Sequence, residues 1–310
     1  MSSPLPSSSS IMTLETVIQS WFIPVDIFMI TCTIVAIVLS TIFLCIIIVD
    51  RSCHTVPMML VANSCLSVLV FACVLLSMSI FTLENDLKRI DYEDSQCIVR
   101  AYFDYVAAAL VNYSFLVQAL YRYTVAVYPA RLFWHSAKSQ LMIICITWLI
   151  GIIFPFVFIF NGKVIYNADN QICQTPVVPS FYIVYPASCI YGVPVSAIMF
   201  IYYKLLQHVH RMKCRVVPVA KLFRAQRHLK MAQQIMIVVG ILLTIGFPYA
   251  LFIGMTFFTK PPKYHYRIAF LFVDVSLALV IIALFQLTQP VKSFLMKRLT
   301  RRPNTQIALT

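Results

Sequence analysis

Asp104 lies near the start of one largely apolar stretch of this chain, and Arg122, in "ALYRYTVAVYP", near its end. Counting back from Arg122 by alternating steps of four and three gives Gln118, Phe115, Val111, Ala108 and Asp104. On an α-helix these six positions form one stripe. The 18 residues from Asp104 to Arg122 span about 27 Å of helical rise. A carboxylate near one surface can pair a cation through a charge-assisted hydrogen bond, and a guanidinium near the other can meet a partner. A plainer reading stands beside each: Asp104 bonded to a neighbouring helix or to interfacial water, and Arg122 a snorkelling basic anchor. Asp26, Asp274 and Tyr249 fall at depths comparable to Asp104 and predict an electronegative pocket with Ala108 and Val111.

Nothing in the chain reads as catalytic. There is no GxSxG, no HExxH and no P-loop, so an enzyme is not expected. His208, His210 and His228 come without the Cys/His/Asp set that zinc spacing requires. No metal and no cofactor are expected. Asn112-Tyr113-Ser114 spells a glycosylation sequon, but inside a membrane helix it stays unmodified.

The elements that position these residues follow from composition. The chain has 310 residues, 61% of them hydrophobic and 11% charged. A soluble domain carries about 25% charged residues and needs polar side chains to cover its surface. Seven apolar runs appear, at about 25–49, 56–81, 98–127, 139–160, 180–206, 230–258 and 266–291. Each matches the roughly 20 residues that cross a hydrocarbon core, and backbone groups in lipid must be bonded internally. The expectation is an all-α membrane protein, a seven-transmembrane helix bundle over 25–291. It is flanked by an N-terminal tail (1–24) and a C-terminal segment (292–310). The Ser- and Pro-rich start has no lysine or arginine and lacks the basic region of a cleaved signal peptide.

Charge predicts the orientation. Most of the 24 lysines and arginines fall at the second end of the odd-numbered runs, and only Asp50 among the eleven acids joins them. The positive-inside rule makes that end cytoplasmic and the N-terminus extracellular. The net charge of +13 then suits anionic lipid headgroups, and no aromatic–basic interleaving points to nucleic acid. Pro218 divides the basic connection from Lys204 to Lys230. The segment "PVKSFLMKRLTRRP" sets Phe294, Leu295 and Leu299 beside Lys297, Arg298 and Arg301. That is the pattern of a short amphipathic helix on the inner leaflet. Most cysteines lie within the apolar runs, where Cys acts as a small hydrophobe. Cys97 and Cys173 fall outside them on the oxidising side, which permits a bridge between them.

The spacings resemble the rhodopsin-like (class A) G-protein-coupled receptors. Cys97 is followed by Arg122 25 residues later and by Pro129 seven after that. Trp148 stands mid-way in the fourth run, and Pro194 precedes Tyr202 by eight residues in the fifth. Pro248 in "IGFPYALF" and Pro290 in "LTQPVKSF" occupy the places of the family's sixth- and seventh-helix prolines. The resemblance covers residues 25 to 302. It implies a plasma-membrane receptor that senses an extracellular ligand and activates a heterotrimeric G protein, with a Cys97–Cys173 disulfide. It places Asp104 where amine receptors hold a ligand's ammonium. Tyr121, Arg122, Tyr123, Pro129, Tyr202, Pro248 and Pro290 become the coupling and switch residues.

The departures carry information too. The family's (D/E)RY reads Tyr121-Arg122-Tyr123, its CWxP reads Ile245-Gly246-Phe247-Pro248, and its NPxxY reads Gln289-Pro290-Val291-Lys292-Ser293. "AIVLSTIFL" lacks the first-helix asparagine and "VANSCLSVLVF" the second-helix aspartate. Without that carboxylate the family's sodium ion has no charged ligand. Asn63, Ser64, Ser67 and Gln289 are left for a neutral network between helices. No carboxylate adjoins Arg122, and His228 stands 20 residues before Pro248, so the sequence predicts a weakly latched off state with basal signalling. Pro186 and Ile190 stand where catecholamine receptors carry serines, and no lysine between Arg267 and Gln289 could hold retinal. The alternatives are a seven-helix receptor that binds without signalling and a transporter. A transporter wants charges through mid-membrane, which this sequence lacks.

Overall fold

A computed structural model describes residues 20–89, 95–213 and 219–300. The expectations for the N-terminal tail, for Pro218 and for Arg301 lie outside them, as do the side chains of Gln289, Leu295 and 297–300. Among the described residues, the regular structure is helical except for one short hairpin. Five helices are long and apolar enough to cross a membrane, or six if the bent pair Gln233–Thr244 and Gly246–Met255 is one span. The chain is a multi-pass membrane protein.

The first three helices are α1 (Phe22–Val49), α2 (Val56–Lys88) and α3 (Cys97–Val127). Pro57 opens α2, where its missing N–H costs nothing, and Arg89 at φ 53° closes it. Helix α3 is the axis of the fold and packs on α2 and on three later helices. Its predicted stripe faces inward: Asp104, Ala108, Val111, Phe115, Gln118 and Arg122 are all buried.

The fourth run is shorter than its sequence suggested. Helix α4 (Ala137–Ile153) starts on the Ser136 side chain, which accepts from the Ser139 amide at 3.2 Å, and stops before Pro155. A five-residue helix α5 (Phe156–Phe160) follows. With 17 residues, α4 is a shorter apolar helix than the five spans; Pro155 cannot supply the amide hydrogen that continuation needs.

The hairpin β1 (Ile165–Asn167) and β2 (Ile172–Gln174) pairs antiparallel, with Tyr166 opposite Cys173. Helix α6 (Phe181–Ala187) runs through a π segment (Ser188–Gly192) into α7 (Val193–Lys213). Pro186 and Pro194 bracket that segment. Each removes one helical amide donor, and the wider π turn absorbs the mismatch. Helix α8 (Val219–Met255) bends by 47° around Gly246 and Pro248, where a proline and a residue without a side chain weaken the ladder. Helix α9 (His265–Leu287) ends at Thr288, and α10 (Gln289–Thr300) begins at once. The sequence reading ran the seventh helix to 291. Pro290 instead stands in the first turn of α10, a place that suits its fixed φ.

Apolar side chains from α1, α2, α3, α8 and α9 form one continuous core, with Phe43, Phe115, Leu277 and Ile281 almost fully enclosed. Many Ile, Val, Leu and Phe side chains of the spans stay exposed, among them Ile48, Ile153 and Phe200, as lipid-facing surfaces require.

Candidate functional site

Asp104, on the second turn of α3, lies in the wall of a narrow cavity of about 40 Å³. Ala108, one turn further along α3, and Tyr249 of α8 share that wall. Tyr105, Tyr191 and Phe270 complete its aromatic lining. Asp104 is the one charged residue in the lining. Cavities of this kind, mostly apolar with few oriented polar groups, are the usual form of small-molecule sites. Val111 and Asp274 do not line it. Val111 is enclosed in the core, and Asp274 is fully buried in α9 with neither carboxylate oxygen hydrogen-bonded among the described residues.

The hairpin is fastened over this end of α3. Cys97 and Cys173 form a disulfide that links residues 76 apart. The Gln174 amide donates to Asp104 Oδ2 at 2.9 Å. The Tyr105 hydroxyl donates to Thr175 Oγ1 at 2.9 Å and accepts from the Thr175 amide at 3.2 Å. Tyr266 of α9 donates to the Thr175 carbonyl at 2.6 Å. Asn170 donates to the Lys263 carbonyl at 3.1 Å and accepts from the Arg267 amide at 3.3 Å. At the rim, Lys263 pairs with Asp169 at 3.1 Å. The hydrogen bond and charge of Asp169 hold that ammonium above its ordinary value.

Beside the hairpin lies an ion cluster that the sequence reading missed. At its centre Arg267 is 2% exposed. Its guanidinium grips Asp86 with both forks, Nη1 to Oδ2 at 2.6 Å and Nη2 to Oδ1 at 2.9 Å. Nη1 also reaches Asp26 at 3.4 Å, and the group stacks over the Phe22 ring, 4.0 Å from its centroid. Asp26 is therefore not a wall of the cavity but one corner of a clamp joining α1, α2 and α9. The signal in the sequence was slight: one acid near an end of each of two helices and one base near an end of a third.

Toward the other end of α3, two neutral hydrogen bonds cross between helices. Gln118 donates to Ser64 Oγ, and Trp148 Nε1 donates to Asn63 Oδ1 at 2.9 Å. These tie α3 and α4 to α2, with members of the predicted polar network. Tyr121 packs with Leu60 and Val117, and Arg122 is 8% exposed. Tyr123 meets Tyr128 edge-on, with ring centroids 6.2 Å apart. Pro129 is exposed just beyond α3. Tyr202 stands half-buried on α7, Pro248 at the bend of α8 and Pro290 at the start of α10. An open groove of about 910 Å³ runs along the basic ends of α7 and α8 between Leu206, His210, Arg211 and Leu229. The His228 side chain lies outside the described residues.

The molecule thus combines membrane-crossing helices with a disulfide-capped cavity at one end and a basic groove at the other. Residues 40–284 match the profile of the 7 transmembrane receptor (rhodopsin family). The chain belongs to that family, whose members are receptors and not enzymes. No curated protein sequence matches it.

Proposed function

We propose that this receptor binds an extracellular, positively charged ligand at Asp104 and activates a heterotrimeric G protein around Arg122. The reading takes α1 to α4, the α6–π–α7 unit, α8 and α9 as seven spans in the plasma membrane. The N-terminus is outside, and α10 lies on the inner leaflet. One observation carries it. A single buried stripe of α3 ends in an acid on a cavity wall and, one membrane thickness away, in an arginine at the basic end. Asp104, Ala108 and Tyr249 contact the ligand; Val111 and Asp274 act from behind the wall, one by packing and one by negative potential. The 47° bend at Pro248 supplies an element with two possible set-points. A ligand shifts their balance only through a difference in affinity for the two states.

The test is a panel of small ammonium compounds and neutral isosteres in a G-protein dissociation assay. Potency of the ammonium compounds should fall about ten- to hundredfold in Asp104→Asn, as expected for one hydrogen bond to a charged group. Unchanged potency would remove Asp104 from the ligand site.

A further inference from the structure

Asp86 and Asp104 are two buried carboxylates of the same end of the molecule, and they are satisfied differently. Asp86 offers both oxygens, and a planar guanidinium takes them as a fork, at 2.6 and 2.9 Å. Asp104 has one oxygen already taken. The Gln174 amide donates to Oδ2 at 2.9 Å, and no hydrogen bond from the described residues reaches Oδ1. A carboxylate only accepts, so the N–H₂ side of the amide faces it. The amide's own Oε1 is buried with no hydrogen-bond partner among the described residues. The arrangement therefore satisfies the acid at the amide's expense.

Gln174 cannot easily leave. It is 2% exposed on a strand whose three residues are all buried. Cys173 before it is disulfide-bonded to Cys97, and Thr175 after it is held by Tyr105 and Tyr266. The amide is a fixed part of the Asp104 surroundings.

We infer that Gln174 is a specificity-determining residue that restricts Asp104 to one open oxygen, so the site takes a point-like ammonium and rejects the fork of a guanidinium or amidinium. A bidentate guanidinium needs both carboxylate oxygens in its plane, whereas an ammonium donates along any one N–H. A guanidinium at Asp104 either gives up its second bond or has to displace an amide anchored on both sides. The inference rests on the reading of Asp104 as the cation site and adds which cations it accepts.

The probes are 2-phenylethylammonium and 2-phenylethylguanidinium, titrated against the purified full-length receptor by thermal shift. Wild type should bind the ammonium more tightly. Gln174→Leu frees Oδ2 and should move the affinity ratio about tenfold toward the guanidinium, the scale of one hydrogen bond to a charged group. Gln174→Met serves where the leucine variant does not fold, and Asp104→Asn should weaken both probes. A ratio unmoved by either Gln174 substitution, or a wild type that prefers the guanidinium, would overturn the inference alone. Equal binding of both probes to wild type and Asp104→Asn would overturn it together with the cation reading beneath it.

Discussion

The two ends of α3 are tied by different chemistry. At the disulfide end, α3 is bonded covalently to the hairpin, and the hairpin is hydrogen-bonded to α9 through Thr175 and Asn170. Helix α9 is joined in turn to α1 and α2 by Arg267. At the basic end, two neutral hydrogen bonds, Gln118 to Ser64 and Trp148 to Asn63, and the packing of Tyr121 on Leu60 join α2 to α3 and α4. Neutral hydrogen bonds and side-chain packing can be exchanged at small cost, whereas a buried ion pair that loses one member leaves an uncompensated charge. The difference assigns rigidity to the end with the cavity and freedom to the end with the groove. On the proposed function, a receptor that opens a cytoplasmic crevice while holding its ligand needs that division.

The comparison breaks most sharply at Arg267. Arg267→Met leaves Asp86 and Asp26 buried without their cation. It should cost about 3–5 kcal/mol, read as a collapse of surface expression and of the melting temperature in detergent. A variant that melts like wild type would show that the clamp is not holding the disulfide end.

A smaller effect is expected at the neutral end. Trp148→Phe keeps the ring and removes the donor to Asn63, at a cost of about 1 kcal/mol. Its melting shift should be well below that of Arg267→Met; an equal or larger shift would reverse the comparison.

The smallest effect falls on the exposed rim. Lys263→Ala breaks a pair whose side chains are both more than half exposed, and surface pairs of this kind contribute little. The melting temperature should stay within error of wild type. Because the Lys263 ammonium is held above its ordinary value, whatever it contributes is present at neutral pH. That contribution is lost only as pH rises through the raised value.

Sequence reasoning succeeded where the signal is local. The inward stripe of α3 follows from 3.6-residue periodicity, and Cys97 and Cys173 stand out as the cysteines beyond the apolar runs on the side opposite the basic one. Residues that break helices were only partly legible. Proline marks a place where the ladder weakens but not the outcome: Pro155 ends α4, Pro248 bends α8, and Pro290 starts a new helix. The ion cluster was not legible at all. Arg267 and Asp26 are 241 residues apart, and Arg267 and Asp86 181. No periodicity within one helix reports which neighbour a charge will meet. For the same reason Asp104 and Asp274 read alike in sequence, although one lines the cavity and the other lies buried away from it.

On the proposed function, the basic end of α3 couples to a G protein through Arg122. The most direct test is ligand-free G-protein activation in cells, comparing wild type with Arg122→Ala at matched surface expression. The account predicts a basal signal in wild type that the substitution abolishes. A basal signal of the same size in Arg122→Ala would contradict it.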